Sequence, residues 1–175
     1  SGYISTTIKG HIGGVWSLVV FPNGDIISGS NEGIIQFWRN EKLLYIIKGH
    51  INVVTALTFL PNGDIVSGSQ DATIRIWREV KQLCKLEGHT DIVTALAVLP
   101  NGDIVSGSYD KTIRVWREGK QIHKIEGHTH GVTTIVVHSN CDIISGSHDK
   151  TIRIWRKGKQ ICKLEGHTDI VTELV

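Results

Sequence analysis

Histidine, serine and aspartate recur together along this 175-residue chain. One set is His50, Ser67 and Asp71. A second is His89, Ser106 and Asp110, and a third is His128, Ser145 and Asp149. His11 and Ser28 open a further set in which Glu32 stands at the acidic position. A single trio of this kind could do acyl transfer: the serine attacks, the imidazole takes its proton and the carboxylate holds the imidazole in the working tautomer. Repetition argues against that chemistry. A nucleophile needs one exposed, activated copy, not a copy in every unit, so the trio reads as scaffold.

A second grouping, His123, His128, His130, His138, Cys141 and His148, has the residue types of a zinc site. Zinc needs four ligands converging within about 2.0–2.3 Å of one ion. The strand pattern given below scatters these residues over an inner trio, an outer strand and an opposite turn. No metal or other cofactor is expected. No glycine-rich phosphate loop, nucleophile elbow or paired-carboxylate motif is present either.

The elements that position these residues follow from one period. Gly-His falls at 10–11, 49–50, 88–89, 127–128 and 166–167, and Trp-Arg at 38–39, 77–78, 116–117 and 155–156, each with a step of 39 residues. Residues 49–87 and 88–126 are identical at about two thirds of their positions, with no insertion or deletion. Such self-similarity marks a repeat architecture. The third unit shows its parts. Ile92 to Leu99 is apolar and β-rich, and Pro100-Asn101-Gly102-Asp103 is a turn. Ile104 to Ser108 and Thr112 to Arg117 are two further strands, the latter alternating and β-branched. Gln121 to Ile125 makes the fourth. No 3.6-residue stripe or capped run predicts a helix. A four-stranded meander of about 40 residues cannot bury both faces alone, and stacking such sheets radially gives each face a partner.

Composition agrees with a globular chain. Hydrophobic residues make up 40%, charged residues 21%, and the net charge is +2. That balance lacks the strong basicity of nucleic-acid binders, so nucleic acid is not an expected partner. No apolar run approaches the roughly 20 residues of a membrane helix, and neither a membrane partner nor a signal peptide is expected. The three cysteines, Cys84, Cys141 and Cys162, offer no disulfide framework. They are expected to be reduced, in an intracellular and cytoplasmic protein. The chain lacks methionine, opens on Ser1-Gly2 and stops at Val175 in mid-repeat, as an excised piece of a longer protein would.

Gly-His, then about 27 residues, then a tryptophan closing a strand, with an acidic residue six before it, resembles the WD40 repeat. The resemblance covers nearly the whole chain. It departs at one point, since Trp-Arg replaces the usual Trp-Asp in every copy. It implies an all-β, WD40-type β-propeller segment spanning 1–175. Four complete four-stranded antiparallel blades are expected at about 14–47, 53–86, 92–125 and 131–164, and strands 3–9 and 169–175 would form a split half blade. The segment would belong to a seven- or eight-blade ring, or two copies would close one ring as a homo-oligomer.

The resemblance also assigns roles. His, Ser, the acidic residue and Trp form a buried hydrogen-bonded tetrad: His50, Ser67, Asp71 and Trp77; His89, Ser106, Asp110 and Trp116; His128, Ser145, Asp149 and Trp155. A buried indole N–H needs an acceptor, and neutral imidazole needs one donor and one acceptor. In the first blade His11, Ser28 and Trp38 accompany Glu32, whose longer side chain is expected to weaken the network. The top-face positions carry Trp16 and Asn31, Thr55 and Gln70, Thr94 and Tyr109, and Thr133 and His148. Copies that keep one fold while one rim diversifies suggest a binding rim, with Trp16 and Tyr109 as the aromatic anchors. The expected function is a non-catalytic scaffold for a protein or peptide partner.

Two further resemblances and patterns bear on the partner. LPNGDIVSGS, WREGK and WRKGK resemble blades of the phospholipase-activating-protein type, which implies ubiquitin as a possible partner. Repeated cations at Arg39, Lys42, Arg78, Lys81, Arg117, Lys120, Arg156, Lys157 and Lys159 read as a salt-bridged rim, with anion or small-ligand binding as the alternative.

Overall fold

The computed structural model of the chain describes residues 10–174. These form sixteen strands and no helix, in four sheets of four. Blade 1 comprises β1 (Val15–Val20), β2 (Ile26–Ser30), β3 (Ile34–Arg39) and β4 (Lys42–Lys48). Blade 2 comprises β5 (Val54–Phe59), β6 (Ile65–Ser69), β7 (Ile74–Arg78) and β8 (Lys81–Leu86). Blade 3 comprises β9 (Val93–Val98), β10 (Ile104–Ser108), β11 (Ile113–Arg117) and β12 (Lys120–Ile125). Blade 4 comprises β13 (Val132–Val137), β14 (Ile143–Ser147), β15 (Ile152–Arg156) and β16 (Lys159–Leu164). Each sheet is an antiparallel meander. The first strands β1, β5, β9 and β13 touch one another in sequence and line the inner side of the arc.

The turn chemistry sets the hairpins. After β9, the Leu99 N–H donates to the Asp103 carbonyl and the Gly102 N–H donates to Leu99, at 2.8 Å each. The Asp103 N–H donates to Asn101 Oδ1 at 3.1 Å, which closes an Asx turn. Gly24, Gly63 and Gly102 hold φ near +87° there. In blade 4 the same place is taken by Cys141, at φ +69°.

Three cores lie between blades rather than within them. Between blades 1 and 2, Ile27, Ile35 and Ile47 meet Val54, Ile65 and Trp77. Between blades 2 and 3, Val66, Ile74 and Leu86 meet Val93, Ile104 and Trp116. Between blades 3 and 4, Val105, Ile113 and Ile125 meet Val132, Ile143 and Trp155. Each fully buried aliphatic contributes about 1.5–3 kcal/mol. A glycine in the second strand receives the valine that opens the next blade. A Cβ on Gly68 would lie 2.6 Å from Val93 Cγ1, and one on Gly107 would lie 2.7 Å from Val132 Cγ1.

The expected outer strand at 3–9 falls outside the described residues. Over 169–174 the expected inner strand does not form. Its start still takes the next-blade position. The Val171 N–H donates to the Ser147 carbonyl at 3.2 Å, and a Cβ on Gly146 would lie 2.6 Å from Val171 Cγ1.

Cys141 supplies a stability test. A side chain at positive φ costs about 1–2 kcal/mol relative to glycine, and the equivalent glycines leave open space where a Cβ would be. Cys141→Gly is therefore expected to stabilise the chain by about 1 kcal/mol. Chemical denaturation checks this, and an unchanged or lower midpoint would contradict it.

Candidate functional site

The His-Ser-Asp sets are joined into chains of hydrogen bonds. In blade 2 the Trp77 indole N–H donates to Ser67 Oγ at 2.8 Å, and the Ser67 hydroxyl donates to His50 Nε2 at 2.7 Å. His50 Nδ1–H then donates to Asp71 Oδ2 at 2.8 Å. The direction of this chain fixes the imidazole tautomer. Blades 3 and 4 repeat it through Trp116, Ser106, His89 and Asp110, and through Trp155, Ser145, His128 and Asp149, with every link between 2.7 and 2.8 Å. Each of these serines is fully buried and holds an indole. The geometry ties strands together and presents no exposed hydroxyl.

The tetrad extends further than the sequence pattern indicated. Thr73, Thr112 and Thr151 donate hydroxyl and backbone hydrogens to Asp71, Asp110 and Asp149. Burial alone would push Asp71 up. The bonds from His50 and Thr73 outweigh it and hold the carboxyl far below its ordinary 3.8. Asp110 and Asp149 are depressed for the same reasons. His128 is held below its ordinary 6.5 by burial, against the pull of Asp149.

Blade 1 keeps only part of this. The Trp38 N–H donates to Ser28 at 3.1 Å, and Ser28 meets His11 Nε2 at 2.8 Å. Glu32 is exposed, and the buried His11 Nδ1 has no partner among the described residues. The acidic link that Asp71, Asp110 and Asp149 supply in the other blades is therefore missing here. Burial lowers His11, against Ser28 and Glu32.

The Trp-Arg departure has its own account on the opposite face. Arg39, Arg78, Arg117 and Arg156 each grip the buried aspartate of the preceding turn through Nε and Nη2: Asp25, Asp64, Asp103 and Asp142, at 2.6–2.8 Å. Such forked pairs are geometrically specific. They occupy the arginines that an anionic partner would use. The arginine and its aspartate, 14 residues apart in all four copies, were the available sequence signal.

On the top face, a bowl of about 690 Å³ gathers seven of the eight expected rim residues: Trp16, Thr55, Gln70, Thr94, Tyr109, Thr133 and His148. Asn31 is not among its lining residues and packs instead against Gly13. Val53, Ile92 and Thr172 complete the lining.

Trp16, Thr55, Thr94 and Thr133 prove to be β-bulge residues. Val54 pairs with Ser69 and Ala56 with Gly68, which leaves Thr55 extra, and the other blades follow. A bulge re-aims the extra side chain. The three threonine hydroxyls donate to the next blade's backbone, Thr94 to the Val132 carbonyl at 2.6 Å, and Thr55 and Thr133 to Val93 and Val171. In blade 1, Ser17 makes that bond instead, to Val54 at 3.0 Å. Trp16 makes no such bond; it is 65% exposed, on a strand whose Val15, Leu18 and Val20 are also more than half exposed.

The varying residues are pinned by backbone alone. The N–H groups of Gln70, Tyr109 and His148 donate to Val53, Ile92 and Gly131 at 2.9–3.0 Å. Their side chains are thus free to differ. Tyr109 reaches blade 4, with its ring 5.1 Å from that of His148. It lies over Gly131, where a Cβ would be 2.5 Å from Tyr109 Cδ1. The candidate zinc ligands stay scattered, and among the described residues no group of three or more such side chains is placed to hold a metal.

Repeated four-stranded blades with buried tetrads define a β-propeller of WD40 type. The family model "WD domain, G-beta repeat" matches residues 2–39, 41–78, 80–117 and 119–156, and the chain belongs to the WD40 repeat family. Solved structures agree on the fold. "Structure of U3-55K" superposes with a TM-score of 0.89 at 24% identity, covering 94% of this chain and 56% of that one. The WD40 repeats of RRP9 give 0.89 at 25% identity, covering 94% and 55%. The chain thus spans about half the length of these solved proteins. No curated protein matches its sequence. WD40 propellers are generally non-catalytic platforms for protein interaction.

Two outcomes test the tetrad. Ser106→Ala leaves the Trp116 N–H and His89 Nε2 unpaired in a buried site, and is expected to cost about 2–4 kcal/mol. Ser28→Ala in the looser blade 1 should cost less, and equal losses in urea denaturation would refute this ranking. The second outcome is pH dependence. His128 and His11 have lowered folded values, so the unfolded chain binds more protons below 6.5. Stability is expected to be flat above that pH and to fall below it. A second loss follows below 3.8, where the unfolded chain's aspartates take up protons that Asp71, Asp110 and Asp149 resist. A melting temperature unchanged down to pH 5 would contradict the histidine part.

Proposed function

We propose that this chain is a protein-interaction scaffold that captures a segment of its partner in the top-face bowl. The observation that carries the reading is Trp16. At the same bulge the other blades use threonine to tie themselves to the next blade. Blade 1 moves that duty to Ser17 and leaves an indole 65% exposed on the rim. A large exposed aromatic that makes no inter-blade hydrogen bond suits a binding anchor. Tyr109, on the facing side of the bowl, is the second anchor, and Gly131 supplies the space it lies over.

The ubiquitin-adaptor reading finds less support. LPNGDIVSGS and WREGK consist of turn, clamp, tetrad and packing residues, so they report the scaffold and not a partner. Anion capture on the opposite face is likewise disfavoured, because its arginines are paired with buried aspartates. With all three cysteines unpaired, we retain an intracellular setting for the interaction.

Selection of random peptides on the immobilised chain tests the reading. Trp16→Ala and Tyr109→Ala should each weaken the selected peptides by about 2 kcal/mol or more, with melting temperatures unchanged. Binding that ignores both changes would show that the bowl is not the site. Early melting of both variants would show that the aromatics serve the core.

A further inference from the structure

We infer that blade 1 carries a carboxylate-binding site at His11, where each of the other blades holds its own aspartate. The site lies outside the bowl, and the inference does not depend on the bowl being a partner site.

The other three blades show what such a site holds. In each, two N–H groups converge on one carboxylate oxygen. His50 Nδ1–H and the Ile51 N–H donate to Asp71 Oδ2 at 2.8 and 3.3 Å. His89 and Thr90 donate to Asp110 Oδ2 at 2.7 and 3.2 Å. His128 and Thr129 donate to Asp149 Oδ2 at 2.8 and 3.0 Å. One period earlier, the same donors are His11 Nδ1 and the Ile12 N–H. The imidazole is set in the same sense there. The Trp38 N–H donates to Ser28, whose hydroxyl donates to His11 Nε2, so Nδ1 carries the hydrogen. That nitrogen is buried and has no partner among the described residues. A buried donor left unpaired is costly, and an acceptor from outside the chain removes that cost.

Glu32, the acidic residue of blade 1, is exposed and does not supply the acceptor. The place can be approached from solution. Ile12 is 96% exposed, and His11 lines an open cleft of about 440 Å³ with Gly10, Gly13, Ser28 and Trp38. A carboxylate is favoured over a neutral acceptor because charge-assisted hydrogen bonds are the stronger ones. Ile34 and Gln36 stand where Thr73 and Arg75 add to the hold on Asp71. Blade 1 therefore holds its carboxylate less firmly than its neighbours do, as an exchangeable ligand. The charge of Glu32 works against a second anion beside it.

Acetate is the probe, with chloride at equal ionic strength as the reference. A buried Nδ1–H held by a carboxylate gives a slowly exchanging, far-downfield proton signal in NMR, and His50, His89 and His128 account for three. Millimolar acetate is expected to add a fourth, saturably, and Glu32→Gln to lower the concentration required. Glu32→Asp should show the fourth signal without acetate and then ignore it. The inference fails if acetate adds no signal. It fails if four signals in chloride become three in Glu32→Gln, since Glu32 would then close its own chain. It fails also if Glu32→Asp gains none, since the two donors would not converge in blade 1 as they do elsewhere. A free small acid and an acidic side chain share this chemistry. A peptide selected on the immobilised chain that raises the fourth signal below the acetate concentration, and loses it when its acidic residue becomes the amide, assigns the carboxylate to a protein partner. Acetate acting where no peptide does assigns it to a free acid.

Discussion

A four-stranded sheet has two faces and cannot bury both by itself. Everything else in this chain depends on how one blade seats on the next. The seat is a valine entering a glycine notch: Val54 over Gly29, Val93 over Gly68, Val132 over Gly107 and Val171 over Gly146. The first three valines are fully buried. A hydroxyl of the earlier blade then bonds the carbonyl of that same valine. Steric fit and hydrogen bond act on one residue, so sliding or tilting a blade would cost both. Where no neighbour is described, the same face is bare. Leu18 of blade 1 is 61% exposed, whereas its counterparts Leu57, Leu96 and Ile135 pack into the junctions.

The tetrad and the arginine clamp fix the two ends of each blade. The tetrad joins the Gly-His lead-in, the second strand, the following turn and the third strand through one line of hydrogen bonds. The clamp joins the end of the third strand to the turn after the first. Both lie within a blade, whereas the hydrophobic cores lie between blades. Blade 1 shows how the two systems separate. Its tetrad lacks the acidic link and leaves His11 Nδ1 unpaired among the described residues, yet its junction with blade 2 is complete.

Much of this was legible in the sequence. In the third unit the Pro-Asn-Gly-Asp turn and the β-branched runs place the four strands to within about a residue, and the 39-residue period repeats that pattern in the other units. Asn31, Gln70, Tyr109 and His148 were legible because they vary where their neighbours do not. The bulges were not. A bulge is a property of cross-strand register, and a reading of alternation along one strand does not register one extra residue. Thr55, Thr94 and Thr133 therefore looked like plain rim residues, although their hydroxyl hydrogens serve the next blade. Over 169–174 the residue pattern matches the other first strands, yet no strand forms among the described residues.

The division between spent and unspent groups gives the bowl its character. A repeat protein must spend the same polar groups in every copy to hold the copies together, so those groups cannot vary. Here the spent set includes the serine and histidine of the tetrad, the clamp arginine and the bulge threonine's hydrogen. What is left unspent is the side chains held only by backbone N–H bonds, and one indole. The indole is available because Ser17 supplies the inter-blade hydroxyl one residue later. Without that shift, a tryptophan at position 16 would cost the junction its hydrogen bond to Val54. The one-residue transfer lets blade 1 carry a large aromatic on the rim without weakening the seat on which the arc depends.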